Sequence, residues 1–228
     1  MGQHYGAKTV TDGLVLYLDA TNVRSYPGSG TAWNDLYKNA NNGTINGTQT
    51  YVNNGFRFSD DPTWVTGGYT DIANSSSLNN INSFTLSFCI YSLGTQSGNG
   101  GSVFHKGDES TTGFVCEPLS NVIRVNYGNG TAWTWSSNQV TLTHNEFAIY
   151  DYVYNGTNLT IYKNSQQILS NAVTIAWDNT NIVRVGRRRG HLQHYLYGSI
   201  FYEKLYNRAL TTSEINQNFQ AHRGRFGL

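Results

Sequence analysis

Phe84-Thr85-Leu86-Ser87-Phe88-Cys89-Ile90 places a large apolar side chain at every second position, with a small one between. Side chains alternate across a strand with a period of two, so this stretch reads as a β-strand with one buried face. Working outward, the same alternation marks Leu14 to Leu18, Val122 to Tyr127, Phe147 to Tyr154, Leu159 to Tyr162, Ile182 to Val185 and Leu196 to Tyr206. Turn clusters separate these runs: Pro27-Gly28-Ser29-Gly30, Asn53-Asn54-Gly55, Ser97 to Gly101, Asn129-Gly130 and Asn155-Gly156. Asn-Gly adopts positive φ at little cost, which suits tight hairpins. Many short strands with no helices between them predict antiparallel sheets packed face to face.

One helix is expected, near the end. Thr211-Thr212-Ser213-Glu214 fits a capping box, Leu210 and Ile215 stand where a hydrophobic staple would, and Gly224 follows the last turn. The helix should run from near Thr212 to near His222, with Ile215 and Phe219 four apart on its buried face.

Composition agrees with short strands joined by turns. The 228 residues include 24 Gly and 27 Asn, and only 13% are charged, against roughly a quarter in ordinary domains. Sixteen Tyr, ten Phe and five Trp supply the material of a core. No apolar run approaches the roughly 20 residues of a membrane span, and the first ten residues lack the apolar region of a signal peptide. These features predict a protein made in a cytoplasm and not inserted in a membrane. Cys89 and Cys116 are expected as two free, strand-borne thiols, because two cysteines do not make the framework of a small secreted domain. The six Asn-x-Ser/Thr matches are read as turns. Charge is uneven: residues 184–225 hold seven Arg and Lys204 against Glu203 and Glu214, an asymmetry that hints at an oriented contact with an acidic surface.

Longer stretches resemble a known family. Val10-Thr11-Asp12-Gly13-Leu14-Val15-Leu16-Tyr17-Leu18-Asp19-Ala20, then Ser25-Tyr26-Pro27-Gly28-Ser29-Gly30-Thr31, Trp33-Asn34-Asp35-Leu36 and Asn39-Ala40-Asn41-Asn42-Gly43-Thr44, resembles laminin-G-like proteins encoded by tailed bacteriophages. Tyr197-Gly198-Ser199-Ile200, Leu205-Tyr206-Asn207-Arg208-Ala209-Leu210-Thr211 and Ser213-Glu214-Ile215 resembles the final strand and helix of the concanavalin A-like superfamily. Leu159-Thr160-Ile161-Tyr162-Lys163-Asn164 resembles its tyrosine-x-asparagine-glycine hairpin, with Ser165 in place of glycine. The closing Arg223-Gly224-Arg225-Phe226-Gly227-Leu228 is similar to phage members. The resemblance implies one all-β domain over residues 1–228, an antiparallel jelly-roll β-sandwich of the concanavalin A/laminin-G type. Residues 1–12 would be an N-terminal arm and 211–223 the short C-terminal helix. It further implies a structural protein of the virion, assembled in the host cytoplasm against capsid, neck or tail proteins. Such a protein would decorate the particle surface or serve as a tail or fibre adhesin for host polysaccharide.

Few residues offer catalysis. Glycosidases flank the scissile bond with two carboxyl groups, which glucanases of this fold carry alternately on one strand. None of Glu109, Glu117, Glu146, Glu203 and Glu214 has a second acid two positions away. No Gly-x-Ser-x-Gly elbow occurs, and Cys116 has no histidine beside it in sequence. His191 and His194 are expected to face solvent from a hairpin rather than to bind zinc. The expectation is a non-enzyme without a cofactor. Calcium at the loop rim is the exception to weigh, with Asp60, Asp61, Asp71 and Asp108 as candidate ligands or as turn caps.

Two groups are candidates for binding. Tyr127, Trp133 and Trp135 surround the Asn129-Gly130 turn, and Trp133 and Trp135 would share a strand face; they would either stack on sugars or cover the core. Trp33, Trp64 and Trp177 read as core or rim. Arg187-Arg188-Arg189 would be a solvated loop or a docking site for an acidic capsid or tail surface, and all three should then be replaceable without loss of the fold. A single basic triplet in a chain of net charge +1 does not point to nucleic acid.

Overall fold

The computed structural model describes residues 7–63, 65–95 and 100–228. Trp64, most of the expected turn at 97–101 and the first half of the N-terminal arm lie outside them. Among the described residues the strands are, in chain order, β1 (Leu14–Asp19), β2 (Ala32–Trp33), β3 (Gly43–Gly47), β4 (Thr50–Val52), β5 (Gly55–Ser59), β6 (Gly68–Ile72), β7 (Phe84–Ser92) and β8 (Phe104–Gly107). There follow β9 (Gly113–Leu119), β10 (Val122–Gly128), β11 (Trp133–Thr141), β12 (Phe147–Tyr154), β13 (Asn158–Lys163), β14 (Gln166–Ala172), β15 (Val183–Val185) and β16 (Gly198–Tyr206), then helix α1 (Thr212–His222).

The strands form two antiparallel sheets packed as a sandwich. The first has the order β14-β13-β12-β7-β16-β5-β4, with β1 also on β16; the second runs β11-β10-β9-β8-β15-β6-β3-β2. Their inner faces meet in one aromatic-rich core, where Phe88 lies 5.8 Å from both Tyr150 and Tyr152, centroid to centroid. Burying each such ring stabilises the fold by about 1.5–3 kcal/mol. The alternation of β7 therefore predicts its inner face correctly. Its outer face differs from the sequence reading: Thr85, Ser87 and Cys89 are also buried. The reason is the C-terminal segment, which crosses this central strand. Thr85 Oγ1 donates to Arg208 O at 3.0 Å and accepts from Leu210 N at 2.9 Å.

Helix α1 begins as its sequence predicts. Thr211 Oγ1 accepts from Glu214 N, and Glu214 Oε2 accepts from Thr211 N at 2.9 Å. Leu210 and Ile215 sit in one apolar cluster. The described part of the N-terminal arm is docked on this helix, with Val10 N donating to Asn218 Oδ1 at 2.9 Å. The hairpins between β4 and β5 and between β13 and β14 each close on two residues of positive φ: Asn53 and Asn54, and Asn164 and Ser165. Ser165 thus takes the conformation that glycine would favour. Cys89 and Cys116 are free and buried, and among the described residues no helix is long and apolar enough to cross a membrane.

Candidate functional site

The outer face of the second sheet gathers the chain's polar chemistry. In β9, Phe114 and Cys116 point into the core, so Val115 and Glu117 point out; in β10, Ile123, Val125 and Tyr127 point in, so Arg124 and Asn126 point out. The ladder sets Arg124 opposite Glu117, Asn126 opposite both Val115 and Trp135, and His105 opposite Val115 and Arg184. Arg184 in turn faces Asp71 on β6.

A strap lies over this face. It leaves β15 at Gly186, whose φ of +89° and whose contact with the Phe58 ring exclude a Cβ, and it returns at Tyr195, bridged to Arg187. From it Arg188 reaches down and is only 4% exposed. Its Nε donates to Glu109 Oε1 at 2.6 Å and its Nη2, on the same edge, donates to Glu109 Oε2, while Glu117 Oε2 stands 3.7 Å from its Nη1. Glu117, fully buried, also accepts from Arg124 Nε and, at 2.8 Å, from Asn126 Nδ2. Burial acts to discharge Arg188, but the Glu109 hydrogen bonds and the Glu117 charge outweigh it and hold the guanidinium more firmly charged than usual.

Trp135 covers this network. Its ring centroid is 4.7 Å from Arg188 Cζ and 5.9 Å from Arg124 Cζ, yet the residue stays 58% exposed. Trp133 meets it edge-on at 6.3 Å and 81°. The two tryptophans share a face, as the sequence suggests. Tyr127 does not join them: it pairs with Thr134, points inward and is buried. Its edge lines a separate rim groove with Asn129, Thr134, Gly156 and Thr157. Trp33 and Trp177 are core residues.

The arginine triplet is not the solvated loop of the sequence reading. Its three side chains diverge because each finds a different anchor. Arg187 lies over Tyr69 at 3.9 Å and donates to the Tyr195 hydroxyl at 3.2 Å, Arg188 is buried against two glutamates, and Arg189 donates to Gly107 O at 2.7 Å. All three are engaged within the chain and Arg188 is buried, so the premise of three replaceable surface side chains does not hold. His191 and His194 stack at 4.3 Å. His194 is buried rather than solvent-facing; burial, then His191 and Arg188, lower its pKa to about 4. His105, fully buried, is pushed well below the usual histidine range by burial and by Arg189, Arg188 and Arg184. A cleft of about 260 Å³ opens beside it, lined by Glu109, Arg189 and His191 among others.

The four candidate calcium acids are spread over three places. Asp71 holds Arg184 by two bonds of 2.6 and 2.8 Å, Asp60 pairs with Arg57, and Asp61 and Asp108 cap turns. Among the described residues no group of three or more His, Cys, Asp or Glu is placed to hold a metal. The sequence reading missed Glu109, Glu117 and His105. One signal for Glu117 was present: a two-residue Ser120-Asn121 turn between Leu119 and Val122 fixes Glu117 opposite Arg124.

Comparison with known proteins agrees with the fold. A family model described as the concanavalin A-like lectin/glucanases superfamily matches residues 65–216. None of the curated proteins matches the chain in sequence. Similar solved structures include the binding domain of botulinum neurotoxin DC in complex with rat synaptotagmin II, at TM-score 0.67 and 14% identity over 91% of this chain. This chain spans only 51% of that one. Domain 4 of AbnA, an extracellular arabinanase of Geobacillus stearothermophilus in complex with arabinotriose, matches at TM-score 0.67 and 13% identity, covering 91% of this chain and 98% of that one. Trypanosoma rangeli sialidase in complex with sialic acid matches at TM-score 0.70 and 16% identity, covering 96% of this chain and 34% of that one. At these identities the likeness is one of fold.

Proposed function

The chain belongs to the concanavalin A-like lectin/glucanase superfamily, and from that premise we propose that it is a non-catalytic glycan-binding module whose site is the outer face of the second sheet. The observation that carries this reading is Trp135: a large ring left mostly exposed, yet fixed from below by Arg188 and from the side by Trp133. Sugars offer apolar faces that stack on such a ring and hydroxyls that bond to the charged groups beside it. The neighbours lend support, since domain 4 of the arabinanase was solved with arabinotriose and the neurotoxin DC binding domain with SialylT. A glycan array read with the wild type and Trp135→Ala tests it: retained glycans on the first and loss on the second are expected, and identical profiles overturn the site.

A hydrolase is the second reading, favoured by one observation, the convergence of Glu109 and Glu117 on Arg188. A glycosidase needs one of its carboxyl groups protonated at the start. Both oxygens of Glu109 are taken up by one edge of the Arg188 guanidinium, so neither is free to meet a leaving group, and the pair suits a scaffold better than an acid catalyst. Release of reducing ends from bacterial polysaccharides or β-glucans, abolished by Glu117→Gln, would reverse this assignment.

The proposal extends to the setting in which the module acts. It is a surface or decoration component of a tailed-phage particle, or a tail or fibre adhesin, held by capsid, neck or tail proteins. The support is the resemblance of its two ends to phage laminin-G-like proteins. Arg187 and Arg189, which are half-buried and bonded within the chain, remain the triplet's candidates for an acidic virion partner; Arg188 is occupied. Immunogold labelling of particles places the chain on head, neck or tail, and unlabelled particles would remove this part of the proposal.

A further inference from the structure

Five arginines stand on or over the outer face of the second sheet, and four of them are fully engaged. Arg124 pairs with Glu117, Arg184 with Asp71 and Arg188 with Glu109, while Arg187 lies over the Tyr69 ring. Arg189 differs. Among the described residues it pairs with no acid and lies over no ring, and its side chain is held through Nη1 alone, which donates to Gly107 O at 2.7 Å. It lines the cleft of about 260 Å³ between the strap and the segment after β8. A larger cavity of about 510 Å³, beside Phe147, Phe201 and Phe226, also holds an arginine, but Arg225 is already paired with Asp19.

The floor of the Arg189 cleft is His105, which is fully buried. Its Nδ1 accepts from Arg189 N at 2.9 Å, so the neutral ring carries its proton on Nε2. That N–H is buried without a hydrogen-bond partner, with Glu109 Oε1 3.7 Å away. A buried donor left unpaired is costly, and in a native fold it calls for a reason. The two acids that line the cleft leave it open to an anion. Both oxygens of Glu109 are held by Arg188, and Asp108 is exposed and caps the turn at Ser110. Glu109 also takes a φ of +64°, a backbone conformation that non-glycine residues rarely adopt and that clusters where ligands are clamped.

Resting on the glycan-binding reading above, we propose that this cleft takes the carboxylate of an acidic sugar, held by Nε and Nη2 of Arg189, at the end of a glycan whose neighbouring residue stacks on Trp135. The free edge of a guanidinium matches a carboxylate with two parallel hydrogen bonds. The two places are joined, because Glu109 in the cleft wall is held by the same Arg188 that lies under the Trp135 ring. Arg189 is then taken by the ligand, and of the triplet only Arg187 is left for a virion partner.

Isothermal titration with matched ligands tests this: oligosaccharides ending in a uronate or a sialate, each compared with the same chain after reduction of its carboxyl to an alcohol. The wild type should bind the acid roughly tenfold or more tightly than the alcohol, the advantage of a charged hydrogen-bonded pair, and that advantage should shrink as salt rises. Arg189→Gln, with circular dichroism to confirm folding, should bring the two affinities together; the wild-type comparison decides the matter alone if the variant misfolds. Equal affinities in the wild type, or a folded variant that keeps the full preference, would overturn this inference while leaving Trp135 as a glycan platform. Failure of the wild type to bind any sugar, acidic or reduced, would overturn both.

Discussion

Arg188 lies 4.7 Å beneath the ring of Trp135 while Nε and Nη2 of its guanidinium hold the two oxygens of Glu109. The contact joins the strap after β15 to the outermost strand of the same sheet. The exposed tryptophan therefore rests on a buried ion network rather than on a mobile side chain, which is the preorganisation that a binding platform needs.

Trp135→Ala should weaken binding of any glycan found for the wild type by roughly tenfold or more, about 1.4 kcal/mol. Its effect on folding stability should be small, within about 0.5 kcal/mol, because the residue is mostly exposed. Isothermal titration and thermal unfolding of the same sample check both parts. Equal losses in both would mean that the ring supports the sheet and nothing else.

Arg188→Met should cost about 3–5 kcal/mol, since it leaves Glu109 and Glu117 without their shared cation in a buried setting. Arg187→Ser and Arg189→Ser should each cost much less, because their groups bond to a hydroxyl and to a backbone carbonyl. Urea unfolding of the three variants separates them. A flat series would return the triplet to the solvated loop of the sequence reading.

What the sequence made legible follows from the range of the interactions. The strands, the hairpins and the Thr211–Glu214 box depend on neighbours a few residues apart, and those readings agree with the structure. The burial of Thr85 and Ser87 does not: it depends on a segment more than a hundred residues away. The site was half legible for the same reason. Alternation alone places Trp133 with Trp135, but separating Tyr127 from them needs the β10–β11 register, which slips at a bulge between Arg124 and Asn126. Glu109 meets Arg188 only because β15 pairs with β8, which brings the segment after β8 beside the strap.

Helix α1 should contribute a pH-dependent term through His222. Its Nε2 faces the Lys204 ammonium and lies 3.0 Å from Thr9 Oγ1, and its Nδ1 is 2.6 Å from Arg225. Burial, then Lys204 and Arg225, drive its pKa far below the ordinary value. A depressed histidine gives stability that is present above the unfolded pKa of about 6.5 and is lost as pH falls below it, by about 1.4 kcal/mol per unit. Asp151, raised to about 6 by burial, acts in the opposite sense over the same range, so the comparison needs a variant. The stability advantage of wild type over His222→Gln should shrink steadily from pH 7 to pH 5. A constant difference would show that His222 does not titrate against this cluster.

Thr211→Ala removes the hydroxyl that accepts from Glu214 N and should cost about 1 kcal/mol. Thermal unfolding measures it. A larger loss, approaching that of Arg188→Met, would mean that the cap holds more than the helix.

The most direct test of the proposed glycan-binding face is nuclear magnetic resonance titration of the folded chain with an oligosaccharide selected by the array. The largest shifts should fall on the Trp135 and Trp133 indole N–H signals and on Arg188 and Arg124 beside them, while the rim around Asn129, Gly156 and Thr157 stays unperturbed. Shifts confined to that rim, with the two indoles unmoved, would contradict the account.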